Sequence, residues 1–181
     1  MTQTARTIAQ ILALYPDNTT QQISPQDGRD MIVTLQAKYG SLFVAEGDEV
    51  ATVIANTTDF FDLAGTYTLG GNGLQFDQSA GNGLLTYTGA PDIVVLIVAQ
   101  TSLIAASGTQ TCDIIIEKNG VEVAGSKAES IVLSTGAVNA SELGLTALSQ
   151  GDTINLAIRN TTAAVNVTAN EAHFVVVGFA G

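Results

Sequence analysis

The chain has 181 residues, 46% of them hydrophobic and only 13% charged, which allows one domain of ordinary size plus an appendage. Its formal net charge of −11 argues against nucleic acid and anionic membranes as partners. Its single cysteine, Cys112, excludes an intrachain disulfide.

The charge is unevenly placed. Residues 1–40 balance three bases (Arg6, Arg29, Lys38) against three acids (Asp17, Asp27, Asp30). Residues 41–181 set three bases (Lys118, Lys127, Arg159) against fourteen acids, so the whole excess lies there. A neutral N-terminal part fits a docking segment better than a solvated one. Nothing at the N-terminus reads as a signal peptide, because the apolar stretch Ile8 to Tyr15 is short and lacks a small-residue cleavage site. The longest apolar run, Ile93 to Ala99, has seven residues, against the ~20 needed to span a bilayer. These features predict a soluble product made in a cytoplasm.

Residues 4–15 place Ile8, Ile11, Leu12 and Tyr15 on one helical face, ended by Pro16. A second helix is predicted from Ser24 to Gly40. Ser24 is its N-cap, Pro25 its first residue and Asp27 its capping-box partner. Met31, Ile32, Leu35 and Tyr39 fall at helical spacing, and Gly40 is the expected stop. Residues 1–40 therefore read as a helical docking segment, with Ile8, Ile11, Leu12, Met31, Ile32 and Leu35 as its candidate docking residues.

From Ser41 the hydrophobic period changes to two, and residues 41–181 read as a β-domain. Gly70 to Gly83 is expected to be a surface loop, with turns at Asn72-Gly73 and Asn82-Gly83 around Leu74–Asp77. Leu84–Thr88 follows as a strand. Ile93–Ala99 is apolar on both faces, so a central strand covered on both sides is expected. Asp113–Lys118 and Val121–Ser126 flank Asn119-Gly120, the dipeptide of a two-residue type I′ hairpin. Ser130–Leu133, Gly144–Leu148, Thr153–Arg159 and Ala172–Gly178 are further strands, about ten in all. In Thr153–Arg159 the residues Ile154, Leu156 and Ile158 share one face. Thr153, Asn155 and Arg159 share the other. Short strands with frequent Gly and Asn turns predict an antiparallel sandwich rather than a βαβ fold.

Catalytic chemistry is hard to assemble from these residues. His173 is the only histidine, and one His with one Cys makes neither a Ser-His-Asp set nor a zinc site. Gly70–Gly73 lacks the Lys and Ser/Thr of a phosphate loop. Asp59 with Asp62, and Glu46 with Asp48 and Glu49, are carboxylate groups without calcium-loop spacing. Cys112 precedes an apolar run and reads as a buried structural thiol. No catalytic, cofactor-binding or metal residue is assigned. Five Asn-X-Ser/Thr sequons, at Asn18, Asn56, Asn139, Asn160 and Asn166, are explained by Thr- and Asn-rich β-structure.

The order LLTYTG (84–89), DIVVLIVAQ (92–100), IIIEKNGVEV (114–123), GDTINLAIRN (151–160) and FVVVGFAG (174–181) resembles the jelly-roll module of the C1q and tumour-necrosis-factor superfamily. ISPQDGRDMIVTL (23–35) resembles a short helical segment near the start of many bacteriophage structural proteins. The resemblance implies an antiparallel jelly-roll sandwich with a short N-terminal helical segment, assembled as a homotrimer. It implies a non-enzymatic virion protein, a capsid decoration or head-fibre protein. Its partners would be itself and the major capsid or other virion proteins. A tail-fibre or tail-tip module that recognises a host surface glycan is the alternative. A depolymerase is the weakest candidate, for want of an acid/base pair.

Overall fold

The computed structural model describes residues 38–72, 75–78 and 83–180. Both predicted helices lie outside these residues except at one end, where the expectation is corrected. Lys38, Tyr39 and Gly40 do not close a helix. They open the first strand, β1 (Lys38–Val44), and pair with Gly178, Val177 and Val176. Gly40 is needed for close packing: a Cβ there would lie 2.8 Å from Leu85 Cδ2 and from Phe76 Cβ.

Two antiparallel sheets stack face to face. The first contains β1, β2 (Ala51–Thr52), β4 (Thr68–Asn72), β7 (Ile93–Ala105), β11 (Val138–Leu148) and β13 (Val167–Ala180). Its order is β11-β7-β13-β1-β4, with β2 on β13. The second contains β3 (Phe61–Asp62), β5 (Phe76–Asp77), β6 (Leu85–Tyr87), β8 (Thr109–Lys118), β9 (Val121–Glu122), β10 (Ala128–Leu133) and β12 (Thr153–Asn160). Its order is β10-β8-β12-β6-β5, with β3 on β12 and β9 on β8. The chain passes from β7 to β8 and β10 in the opposite sheet, back to β11, across to β12 and back to β13. This winding is a jelly roll, as the sequence resemblance implied.

Alternation builds the core. Leu42, Val44, Val95, Ile97, Leu103, Phe174 and Val176 of the first sheet meet Leu85, Tyr87, Ile114, Ile116, Leu156 and Ile158 of the second. Each is at most 2% exposed, and such burial stabilises by about 1.5–3 kcal/mol per large side chain. The predicted inward set of β12 is the observed one. Cys112 is fully buried, and burial pushes its thiol up to about 11, as expected of an inert structural cysteine.

The Asn-Gly hairpin forms as predicted, though its second strand is only β9. Asn119 has φ 53° and Gly120 φ 74°, the left-handed pair a type I′ turn requires. The Gly151-Asp152 turn clamps it. Asn119 Nδ2 donates to Asp152 Oδ1 at 2.7 Å, and Thr153 N donates to Asn119 Oδ1 at 2.8 Å. Lys118 Nζ pairs with Asp152 Oδ2 at 2.8 Å. Burial opposes the Asp152 charge, but hydrogen bonds from Lys118, Ser149 N and Asn119 outweigh it and hold the carboxyl at about 2.

The Gly70–Gly83 expectation is corrected too. Of its eight described residues five are strand, in β4 and in β5, which falls within the Leu74–Asp77 segment expected between the two turns; Phe76 is 4% exposed and packs 5.3 Å from the Tyr87 ring. An aromatic anchor of that size outweighs the loop-forming glycines around it.

Candidate assembly interface

The outer faces of the two sheets differ in chemistry. The second sheet carries a network of charges. Asp113 pairs with Arg159 and faces Lys127, and Asn155 donates to both Asp62 and Glu117. The first sheet's outer face is split into an apolar half and a polar half.

The apolar half is made of cross-strand rows. Ala147, Val94 and Phe179 form one. Leu145, Leu96, Val177 and Tyr39 form the next, and Leu143, Val98, Val175 and Ser41 the third. Tyr39, Val94, Val98, Leu143, Leu145 and Phe179 are 42–63% exposed. They are six of the ten large hydrophobics exposed among the described residues, so the apolar exposure is concentrated rather than scattered. No Asp, Glu, Lys or Arg interrupts these rows.

This corrects the expectation for Ile93–Ala99. Val95, Ile97 and Ala99 are covered by the second sheet, whereas Val94 and Val98 are 44% and 42% exposed. The strand is central, between β11 and β13, but a sandwich covers each sheet on one face only.

The polar half continues the same face. Ser141, Gln100, His173 and Phe43 form the fourth row, and Asn139, Ser102 and Glu171 the fifth. A β-bulge sets this arrangement. Ala169 pairs with Leu103 and Glu171 with Ser102, so Asn170 is the extra residue. Without that insertion Glu171 would share the inward face of Ala169. With it, Glu171, His173, Val175, Val177 and Phe179 all point outward. Gln100, Ser102, Asn139, Ser141, Glu171 and His173 line a depression of about 470 Å³. A smaller one beside it is lined by Glu46, Glu49, Ser102, Asn170 and Glu171.

Behind this face, on the inner side of β11, lies a buried carboxyl. Glu142 is 3% exposed, and neither of its oxygens has a hydrogen-bond partner among the described residues. Burial pushes its pKa up to about 7.

The six docking residues named from sequence, Ile8, Ile11, Leu12, Met31, Ile32 and Leu35, lie outside the described residues. Of the carboxylates considered for calcium, Asp59 accepts from Asn56 Nδ2 at 2.8 Å and Glu49 from Gly47 N at 2.9 Å. Among the described residues no three His, Cys, Asp or Glu side chains cluster as a metal site. No described helix is long and apolar enough to cross a membrane. Two sequon asparagines serve the fold: Asn160 is fully buried and donates to Gln110 Oε1, and Asn166 Oδ1 accepts from Ile54 N. The sequence does not mark which sheet face is apolar and uncovered. Its signals of such a face are the two-sided apolarity of Ile93–Ala99 and the low charged fraction of 13%.

No family model matches the chain, and no curated protein matches it. Among solved structures it is similar to murine APRIL at pH 5.0, with TM-score 0.48 and 15% identity over 78% of this chain and 100% of that one. It is also similar to the PRD1 vertex protein P5, with TM-score 0.46 and 12% identity over 81% of this chain and 99% of that one.

Proposed function

We propose that the chain is a structural module that assembles with copies of itself through the outer face of the first sheet. We propose further that the assembly is a homotrimer and serves as a capsid decoration or head-fibre protein of a bacteriophage virion. The observation that carries self-association is the apolar half of that face. Three adjacent rows of uncharged, mostly apolar side chains leave enough oily surface in water to favour covering it. The occupant is another copy of this chain. An acidic body repels its like, and these uncharged rows are where two copies can approach without bringing carboxylates together.

The threefold number and the virion setting are supported by the sequence resemblance, in residues 84–181 and 23–35 respectively. The N-terminal segment, with Ile8, Ile11, Leu12, Met31, Ile32 and Leu35, is the proposed link to the particle. A module that binds assembled capsid subunits and not free ones stabilises the shell by mass action.

Light scattering of the full chain tests the assembly. The expected mass is three times the protomer's 18.6 kDa. Leu145→Asp, at a position 63% exposed, is expected to leave the fold intact and shift the mass to the protomer value. A wild-type mass equal to the protomer's at high concentration would reject self-association. Co-sedimentation with purified phage capsids tests the decoration role separately.

A further inference from the structure

We propose that Asn119 is a guarded deamidation site, kept unreacted by its bonds to Asp152 and Thr153 and opened to reaction when those bonds break. The site belongs to the second sheet and does not depend on the self-association proposed above.

An asparagine followed by glycine is chemically labile, because glycine has no side chain to hinder its own backbone nitrogen. The Gly120 nitrogen gives its proton to solvent base and attacks Asn119 Cγ. The new N–C bond closes a five-membered succinimide. The Cγ–Nδ2 bond breaks, and the amide nitrogen takes a proton from water and leaves as ammonia. Water then opens the ring at either carbonyl, giving aspartate or isoaspartate. Water is the co-reactant, and it has access. Asn119 and Gly120 are exposed, and a Cβ built on Gly120 would meet nothing within 4 Å.

The fold opposes the first step. Ring closure requires the Asn119 side chain to swing onto its own backbone, yet the amide is engaged elsewhere. Nδ2 donates to Asp152 Oδ1 at 2.7 Å, and Oδ1 accepts from Thr153 N at 2.8 Å and from Thr153 Oγ1 at 3.2 Å. Asp152 is itself fixed by Lys118 Nζ and by Ser149 N, each at 2.8 Å. The backbone is anchored as well, since Asn119 N donates to Thr153 O at 3.0 Å. The side chain and the backbone that must meet are thus both tied to the start of β12.

Conversion changes the turn. A carboxylate at position 119 has no donor for Asp152 and sets two negative charges where the 2.7 Å bond stood. Isoaspartate adds a backbone atom to a two-residue turn whose twist must match its strands. Either product unties the hairpin tip from the Gly151-Asp152 turn.

Incubation of the full chain at pH 8, folded and in concentrated urea, tests this, with conversion read by peptide mapping and an isoaspartate assay. In urea, Asn72-Gly73, Asn82-Gly83 and Asn119-Gly120 should react at similar rates, since they share the dipeptide. In the folded chain Asn119 should react at least about tenfold more slowly than in urea, the effect of one charge-assisted hydrogen bond. Asp152→Ala, with its fold checked by circular dichroism, should recover much of the lost rate. Equal Asn119 rates in the folded and unfolded wild type would overturn the proposal, as would a wild-type rate in folded Asp152→Ala. Should Asp152→Ala unfold, Thr153→Val decides in its place: it removes only the 3.2 Å bond, and an unchanged rate overturns the proposal.

Discussion

Replacing Glu142 with glutamine removes one buried acid while keeping its shape. Glu142 is 3% exposed on the inner face of β11, opposite Ala99, and no described residue hydrogen-bonds its carboxyl. Thr101 Oγ1, on the same face of β7, is likewise without a partner there. Burial raises the carboxyl from 4.5 to about 7. The sign follows from proton linkage. Between pH 4.5 and 7 the folded chain keeps a proton that the unfolded chain releases. Stability is therefore fully present below pH 4.5 and declines as pH rises to 7, then levels off. At 1.36 kcal/mol per pH unit, that window removes roughly 3 kcal/mol, a large part of the 5–15 kcal/mol of a typical domain. Glutamine cannot ionise. Glu142→Gln should match the wild type near pH 4.5 and exceed it by roughly 3 kcal/mol at pH 8, equivalent to about 6–12 °C in Tm. Urea denaturation from pH 4.5 to 8.5, at fixed protomer concentration, measures the difference. Parallel pH profiles for the two proteins would refute the buried, unpartnered carboxyl.

Asp152→Asn should destabilise by about 1–2 kcal/mol at pH 7, by weakening the charge-assisted bonds that tie the Gly151-Asp152 turn to the Asn119-Gly120 hairpin. Because the carboxyl sits at about 2, the gap from wild type should persist above pH 3.8 and close as pH falls toward 2 in urea titrations. Gly40→Ala should cost about 1–3 kcal/mol in thermal melts, since its Cβ would press on Phe76 Cβ and Leu85 Cδ2 at 2.8 Å.

The antiparallel sandwich was legible in the sequence because its signals are local. The Asn119-Gly120 turn follows from the left-handed dihedrals those two residues tolerate. The inward set Ile154, Leu156 and Ile158 follows from a period of two. In the sequence only Gly144–Leu148 of β11 shows a strand pattern, because Ala140, Ser141 and Glu142 do not alternate cleanly in hydrophobicity. Nothing local in the sequence therefore marks Glu142 as a buried acid. The helix predicted to reach Gly40 gave way at its end to strand pairing, since Lys38–Val44 finds partners on β13 far along the chain.

Residue order by itself determined the Asn119-Gly120 turn, the inward set of β12 and the β-rich character of residues 41–181, since each depends on neighbours a few positions away. Only the tertiary structure decided which apolar face lacks a cover. The run Ile93–Ala99 is equally apolar on both sides, and stacking of the second sheet buries Val95 and Ile97 while leaving Val94 and Val98 exposed. The bulge at Asn170 likewise decides that Glu171 and His173 share the outer face with the apolar rows, because register is set by pairing between distant strands.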